Sequence, residues 1–294
     1  MRFGFHLSVA GGLERAAREA GELGLECLQI FATSPRTWRQ RRIGQAEAER
    51  FRQRCRAAGL APVVIHAPYL LNLASPDPLL WRRSIAALAD QLRRAELIGA
   101  AGVVVHPGSR GGRRLEWGLE RVARAVEQAL ERAAPPRAEV WLENTAGGRG
   151  QMGGTLAQLA WLDGRLEGRP VGFCLDTAHA WGAGYHLESA RAVERFLQRV
   201  GRLLGLGRVR LWHLNDSACP RGSRRDRHQH LGRGAIGTAG FAALVRHPAL
   251  ARAPAVMETP KDSPQADRRN LALVRRLGDT GASGRDIDSY PALC

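Results

Sequence analysis

Eight short apolar runs, each trailed by a longer amphipathic stretch, narrow the folds open to this chain more than any other feature. The runs cover residues 3–6, 28–31, 63–66, 103–106, 140–143, 172–176, 209–213 and 255–258. They are rich in Val, Ile and Leu and lack strict alternation, as strands buried on both faces do. The stretches between them have helical spacing. It is clearest over 79–98 and 115–132, where Leu, Ile, Val and Ala line one face and Arg and Glu the other. Gly24, Gly59 and Gly99 stand where helix C-caps belong. Strand and helix alternating through 294 residues predict a (β/α)8 TIM barrel. A doubly wound open sheet is the alternative that the same alternation allows. At 44% hydrophobic residues the chain can bury one barrel core or two smaller ones. No linker, repeat or low-complexity tract splits it, so a single barrel domain over 1–280 and a tail over 281–294 are expected. The stretch 217–239 is the longest without strand or helix pattern, and long loops in compact domains are usually functional.

The apolar runs end on an unusual set of residues. His66, His106, Glu143, Asp176, His213 and Glu258 all fall at the C-terminal ends of expected strands. His179 follows Asp176 by three residues, and Asp226 and His228 lie in the long loop. In a barrel the strand C-termini converge on one face, where such enzymes place their chemistry. Any one of these residues taken alone reads most simply as a cap or a satisfied polar group. Six strand ends of eight do not, because caps prefer Ser, Thr, Asn and Asp over His and Glu. Carboxylates packed together without cations would also repel one another and shift strongly in pKa. Imidazole with carboxylate and no thiolate suits zinc, manganese or iron, and nine such groups are too many for one ion. His6 ends the first run and either supports a ligand from behind or simply packs.

Charge and cysteine content narrow the function classes. The net charge is +16, from 44 basic and 28 acidic residues, which favours a polyanionic partner such as nucleic acid. A biased composition reads the same way, since Lys261 is the only lysine and arginine supplies the rest. The five cysteines, Cys27, Cys55, Cys174, Cys219 and Cys294, are scattered and form no C-x-x-C pair. That argues against a disulfide framework and a cysteine zinc site, and for a reducing compartment. The N-terminal segment lacks a signal-peptide core, and no apolar run approaches the ~20 residues of a membrane span. A cytoplasmic location is expected. Residues 232–237 read GRGAIG, a literal G-x-G-x-x-G, but they follow a polar loop instead of a strand, so a dinucleotide site is a poor reading. Ser8, Ser109 and Ser217 show no base-and-orienter pattern. His186, His230 and His247 are expected to be solvated.

With these residues in view, the chain resembles the endonuclease IV family of apurinic/apyrimidinic endonucleases. The matching segments are HLSVAGG (6–12), HAPYLLNLA (66–74), HPGS (106–109), LENTAG (142–147), DTAHAWGAGY (176–185), HLNDS (213–217), DRHQHLGRGAIG (226–237) and METP (257–260). They run in order along nearly the whole chain. The resemblance implies a trinuclear zinc centre, with manganese able to replace zinc in one or more positions. It implies that Glu143 bridges two ions, with His66 and His106 completing the first. Asp176, His213 and Glu258 would hold the second, and His179, Asp226 and His228 the third. The activity implied is hydrolysis of the phosphodiester 5′ to an abasic site in double-stranded DNA, leaving a 3′-hydroxyl and a 5′-deoxyribose phosphate. Glu143 and Glu258 would be the catalytic carboxylates. Tyr69 and Leu70, with Arg36 as a second element, match the side chains the family inserts where a base is missing, although Tyr69 also reads as packing at the barrel rim. The chain departs from the family at Gly148-Arg149-Gly150, Ala218 and Arg233, none of them a ligand position. A monomer is expected. A sugar isomerase or epimerase of similar architecture is the alternative enzyme, disfavoured by the loop ligands and the basic charge. A DNA-binding barrel with structural metals is the non-enzymatic alternative, disfavoured because structural zinc sites are closed and cysteine-rich.

Overall fold

The β-branched runs form strands that close on themselves. In the computed structural model, which describes residues 1–32, 34–38, 41–134 and 136–279, the strands in chain order are β1 (Arg2–Leu7), β2 (Cys27–Ile30), β3 (Val63–His66), β4 (Gly102–Val105), β5 (Glu139–Glu143), β6 (Val171–Asp176), β7 (Val209–His213), β8 (Asp216–Ser217), β9 (His228–Gln229) and β10 (Pro254–Met257). All but β8 and β9 form a closed barrel in the order β1-β10-β7-β6-β5-β4-β3-β2. The pairs are parallel, and β1 closes the ring by pairing Phe3 with Ala255 and Phe5 with Leu28. Closure leaves the barrel itself without an edge strand and excludes the doubly wound alternative. The expected tail at 281–294 lies outside the described residues.

The helices sit outside this ring: α1 (Leu13–Glu22), α2 (Gln45–Ala57), α3 (Pro78–Ile98), α4 (Leu115–Arg132), α5 (Leu156–Arg165), α6 (Thr177–Gly182), α7 (Ala190–Leu203), α8 (Gly237–Arg246) and α9 (Ala266–Gly278). The ends of α3 show why local sequence located it. Asp77 accepts a hydrogen bond from the Leu79 amide, Pro78 occupies the first turn, and Gly99 ends the helix at φ 72°. On α4, Leu119, Val122, Ala123, Val126 and Leu130 form the buried stripe that its period of 3.6 requires.

Inside the barrel, the alternation of side chains along each strand makes two levels. Cys27, Val64, Val104, Trp141, Cys174, Leu211 and Val256 form a separate apolar cluster. Burying each Val or Leu there contributes roughly 1.5–3 kcal/mol. Two residues further along each chain stand Gln29, His66, His106, Glu143, Asp176, His213 and Glu258. The polar level therefore rests on a dry plug. On β1 the matching pair is Gly4 and His6; a Cβ on Gly4 would fall 2.1 Å from the Cys27 carbonyl oxygen, so only glycine fits.

Two expectations are corrected. His106 and Glu258 lie one residue beyond β4 and β10 instead of within them, because backbone pairing stops before the inward direction of the side chains is lost. The stretch 217–239 is not bare: β8 and β9 pair antiparallel, and α8 begins at Gly237. Strands of two residues carry no periodicity to detect. Cys27, Cys55, Cys174 and Cys219 are buried free thiols. Among the described residues no helix is long and apolar enough to cross a membrane.

Candidate metal centre

Glu143 ends β5 and is completely buried. Its Oε2 lies 3.2 Å from His66 Nε2 and 2.9 Å from His106 Nε2. Its Oε1 lies 3.0 Å from His213 Nδ1 and 3.3 Å from His179 Nδ1. One carboxylate thus faces a different pair of imidazoles with each oxygen. Asp176, at the end of β6, caps α6 by accepting from the His179 amide at 2.7 Å through Oδ1. Its Oδ2 remains directed at His213 Nδ1 (3.8 Å) and His228 Nε2 (3.6 Å). It is a cap and a member of the cluster at once. Glu258 Oε2 lies 3.4 Å from His213 Nδ1. Asp226 spans the two outer imidazoles, with Oδ2 3.2 Å from His179 Nε2 and Oδ1 3.2 Å from His228 Nε2.

All nine expected ligands therefore meet at the C-terminal mouth of the barrel. Three groups have donor atoms within 4.8 Å of one another: His66–His106–Glu143, Glu143–Asp176–His213–Glu258, and Asp176–His179–His228. Cys174, beneath them, also comes within that distance of Glu143 and His213. Burial and the carboxylates of Glu143, Glu258 and Asp176 push its thiol well above the ordinary range, so in the metal-free fold it stays protonated.

The charge balance of the cluster calls for cations. Burial works to raise Glu143, but the imidazoles of His106 and His213, with hydrogen bonds from His106 and His179, hold its carboxyl well below the usual range. Burial is likewise overcome at Glu258, chiefly by His213 and a hydrogen bond from His6. Burial tends to lower His213, yet Glu258 and Glu143 raise it to about 9. His228 also rises to about 9 against burial, through Asp176 and Asp226. Without metal, protons on imidazoles neutralise the carboxylates, and a divalent ion would take their place. The nitrogens are also turned for ligation. His66, His179 and His228 each set Nδ1 against a backbone carbonyl, of Ala67 (2.7 Å), Asn144 (2.9 Å) and Glu258 (3.2 Å), and aim Nε2 at carboxylates. Metal-binding histidines are held in this way. His228 Nε2 is buried, and although Asp226 Oδ1 lies 3.2 Å away the pair is not aligned as a hydrogen bond, an arrangement that suits two ligands of one ion better than a donor and its acceptor.

Several residues that orient this cluster are not among the ligands expected from the sequence. Asn144 Oδ1 accepts from the Asp176 amide at 2.6 Å. Asn215 donates to Asp176 Oδ2 at 2.6 Å and accepts from the Glu258 amide at 2.7 Å. Gln29 contacts His6, Glu258 and His213. Gln29 had a readable signal, since it occupies on the second strand the position that ligands occupy on six others. His6 supports Glu258, with Nδ1 3.2 Å from its Oε1.

The G-x-G-x-x-G segment is an anion nest for the protein's own carboxylate. The amides of Gly232, Gly234, Ile236 and Gly237 donate to Asp216 at 2.9–3.4 Å. A Cβ on Gly234 would fall 2.5 Å from Asp216 Oδ1. His230 is buried instead of solvated: its Nε2 meets Asp262 at 2.9 Å and its Nδ1 receives Asn270 at 3.0 Å, docking α9 on the loop. His186 is exposed and His247 half-buried. At the rim Tyr69 is 62% exposed although its ring packs edge-on against Phe31 at 5.3 Å. Leu70 is half-buried and Arg36 exposed. Of the departures, Arg149 and Arg233 are exposed, and the Gly148 turn is closed by Gln151 Oε1 accepting from the Gly148 amide at 2.8 Å.

Comparison with known proteins bears on this geometry. Residues 17–277 match the xylose isomerase-like TIM barrel family. A probable endonuclease 4 from Methanoculleus marisnigri is 42% identical over 275 residues, covering 93% of this chain and 98% of that protein. The crystal structure of endonuclease IV from Thermus thermophilus superimposes with a TM-score of 0.86 at 43% identity, covering 94% of this chain and 98% of that one. A D-tagatose 3-epimerase-like protein gives a TM-score of 0.70 at 19% identity, covering 94% and 99%. That last likeness is one of fold alone.

Proposed function

The chain belongs to the xylose isomerase-like TIM barrel family and, within it, to the endonuclease IV family, and from that membership we propose that it is a metal-dependent DNA-repair endonuclease that hydrolyses the phosphodiester 5′ to an abasic site. One observation carries the reading: the two oxygens of buried Glu143 face different ligand sets, Oε2 towards His66 and His106 and Oε1 towards His213, so that one carboxylate could serve two ions. His66 and His106 would share the first ion with Glu143; Asp176, His213 and Glu258 would hold the second; His179, Asp226 and His228 the third. The donor set suits zinc, with manganese acceptable at one or more positions. Bound divalent ions supply charge neutralisation on the phosphoryl oxygens and bring the pKa of a water towards neutrality.

The protein's own groups supply the rest. Glu258, held well below the usual carboxyl range, is ionised and can take the proton of the attacking water. The water oxygen bonds to phosphorus as the bond to the 3′ oxygen breaks, and the 3′ oxygen takes a proton from solvent, giving a 3′-hydroxyl and a 5′-deoxyribose phosphate with inversion at phosphorus. The dry plug below the site leaves access only from the mouth. Around the mouth, exposed Tyr69 and Arg36 with half-buried Leu70 would fill the gap left by the missing base. A cleft of ≈ 270 Å³ lined by Arg110, Arg149 and Arg224, with no acid in its lining, fits the +16 charge and a phosphate backbone. Lys261 is ion-paired with Asp267, which disfavours a Schiff-base lyase.

Zinc-loaded protein incubated with duplexes bearing or lacking one abasic site tests the proposal. Cleavage of the abasic duplex alone, with the two ends named above, is expected. An unsaturated-aldehyde 3′ end, or no cleavage of either duplex, would overturn it.

A further inference from the structure

We propose that Gln29 is a positioning residue that makes His213 present Nδ1, and Glu258 present Oε2, to the metal centre; the inference rests on the metal-centre reading above. Gln29 is completely buried on β2, at the polar level of the barrel interior. Its Nε2 lies 2.7 Å from Glu258 Oε1 and 2.9 Å from His6 Nδ1, and its Oε1 lies 2.9 Å from His213 Nε2.

The chemistry of these atoms orders the network. An ionised carboxylate only accepts hydrogen bonds, so the amide group facing Glu258 must be the donor NH₂. That places the amide oxygen, which only accepts, against His213 Nε2. Once a bound metal displaces one proton from His213, the proton that remains must sit on Nε2 and leave the Nδ1 lone pair free, and Nδ1 is the atom that faces Glu143, Asp176 and Glu258. The amide nitrogen also lies 2.9 Å from His6 Nδ1, whose own proton points to Glu258 Oε1, so Gln29 and His6 serve the same carboxylate oxygen. One side chain thereby selects the tautomer of one ligand and commits the idle oxygen of another.

His213 differs in this from His66, His179 and His228, whose nitrogens are set by backbone carbonyls. A side-chain anchor can be removed by substitution. Partners that fix a ligand imidazole in this way typically alter metal affinity by ~10–100-fold when lost.

Gln29→Met keeps the length of the side chain and removes both hydrogen bonds. Stepwise zinc titration against a competing chelator should show one step weakened by ~10–100-fold and the remaining steps unchanged. In ¹⁵N-histidine-labelled zinc-bound protein, the unsubstituted chain should show one ligand imidazole protonated on Nε2, and that signature should be lost in Gln29→Met. Gln29→Glu keeps the acceptor for His213 but sets a second carboxylate against Glu258. It should retain the Nε2–H signature while still weakening the same zinc step, and it serves if Gln29→Met does not fold. Zinc steps and imidazole signals unchanged in both variants would overturn this inference alone. Absence of any zinc step in the unsubstituted protein would overturn the metal-centre reading and this inference with it.

Discussion

His213 and His228 both aim a nitrogen at Asp176 Oδ2, from 3.8 and 3.6 Å, yet they reach it by different means. His213 is the last residue of β7, wholly buried, and its neighbours in the ladder, Asp176 on β6 and Val256 on β10, are set by register. His228 stands on a two-residue strand in a loop, and its companion Asp226 has a side chain 48% exposed. That loop is held by the β8–β9 pairing and by the Asp216 carboxylate in its nest of amides. The floor of the site is thus part of the folding core, while the rim is added to it by local hydrogen bonds. Floor substitutions should damage metal binding and stability together; rim substitutions should separate them.

The largest effect is expected at the floor. Glu143→Gln should bind markedly less zinc and cleave abasic DNA at least ~10³-fold more slowly, because the charge on which both imidazole pairs converge is gone. Metal analysis and cleavage assays check this, and near-normal zinc with near-normal rate would end the bridging role. Glu258→Gln should bind abasic duplex about as well as the unsubstituted chain and cleave it ~10²–10⁴-fold more slowly, the range of a lost general base. His228→Ala, at the rim, should release one zinc selectively, seen by elemental analysis, while thermal unfolding of the metal-free protein changes little.

The pH dependence sharpens the same contrast. His213 and His228 rise in the metal-free fold from the ordinary 6.5 to about 9. A raised histidine stabilises the fold fully below 6.5, and that stability is lost as the pH climbs through 9. Metal-free protein should therefore lose thermal stability between pH 6.5 and 9, by more than ~2 °C in Tm. Zinc-loaded protein should do the reverse, since zinc displaces these protons. His228→Ala should remove its share of the slope; an unchanged slope would show that the rim imidazole does not take part. The smallest effect is at the outermost residue. Tyr69→Ala should reduce the preference for abasic over intact duplex about tenfold. Overall affinity should keep its salt dependence of ~0.9 log unit per phosphate contact for each tenfold rise in salt. Competition binding at several salt concentrations separates the two.

The floor was legible in the sequence because the ligands repeat with the strands. His66, Glu143, Asp176 and His213 each close an apolar run, and a barrel can only gather such ends on one face. The amphipathic stripe of α4 and the caps of α3 were legible for the same reason, since they depend on neighbours within a few residues. The rim ligands were legible as residue types through the resemblance of DRHQHLGRGAIG to a known family, but not as geometry. Two-residue strands have no period, and nothing local reveals that Asp216 occupies the glycine-rich turn or that His230 is buried against Asp262 and Asn270. Residue type and strand period, both local properties, determined the fold class and the ligand candidates. Only the tertiary structure decided which nitrogen of each imidazole faces the carboxylates and that Gln29 joins His213 to Glu258, because those contacts cross as many as 229 residues of chain and depend on barrel closure.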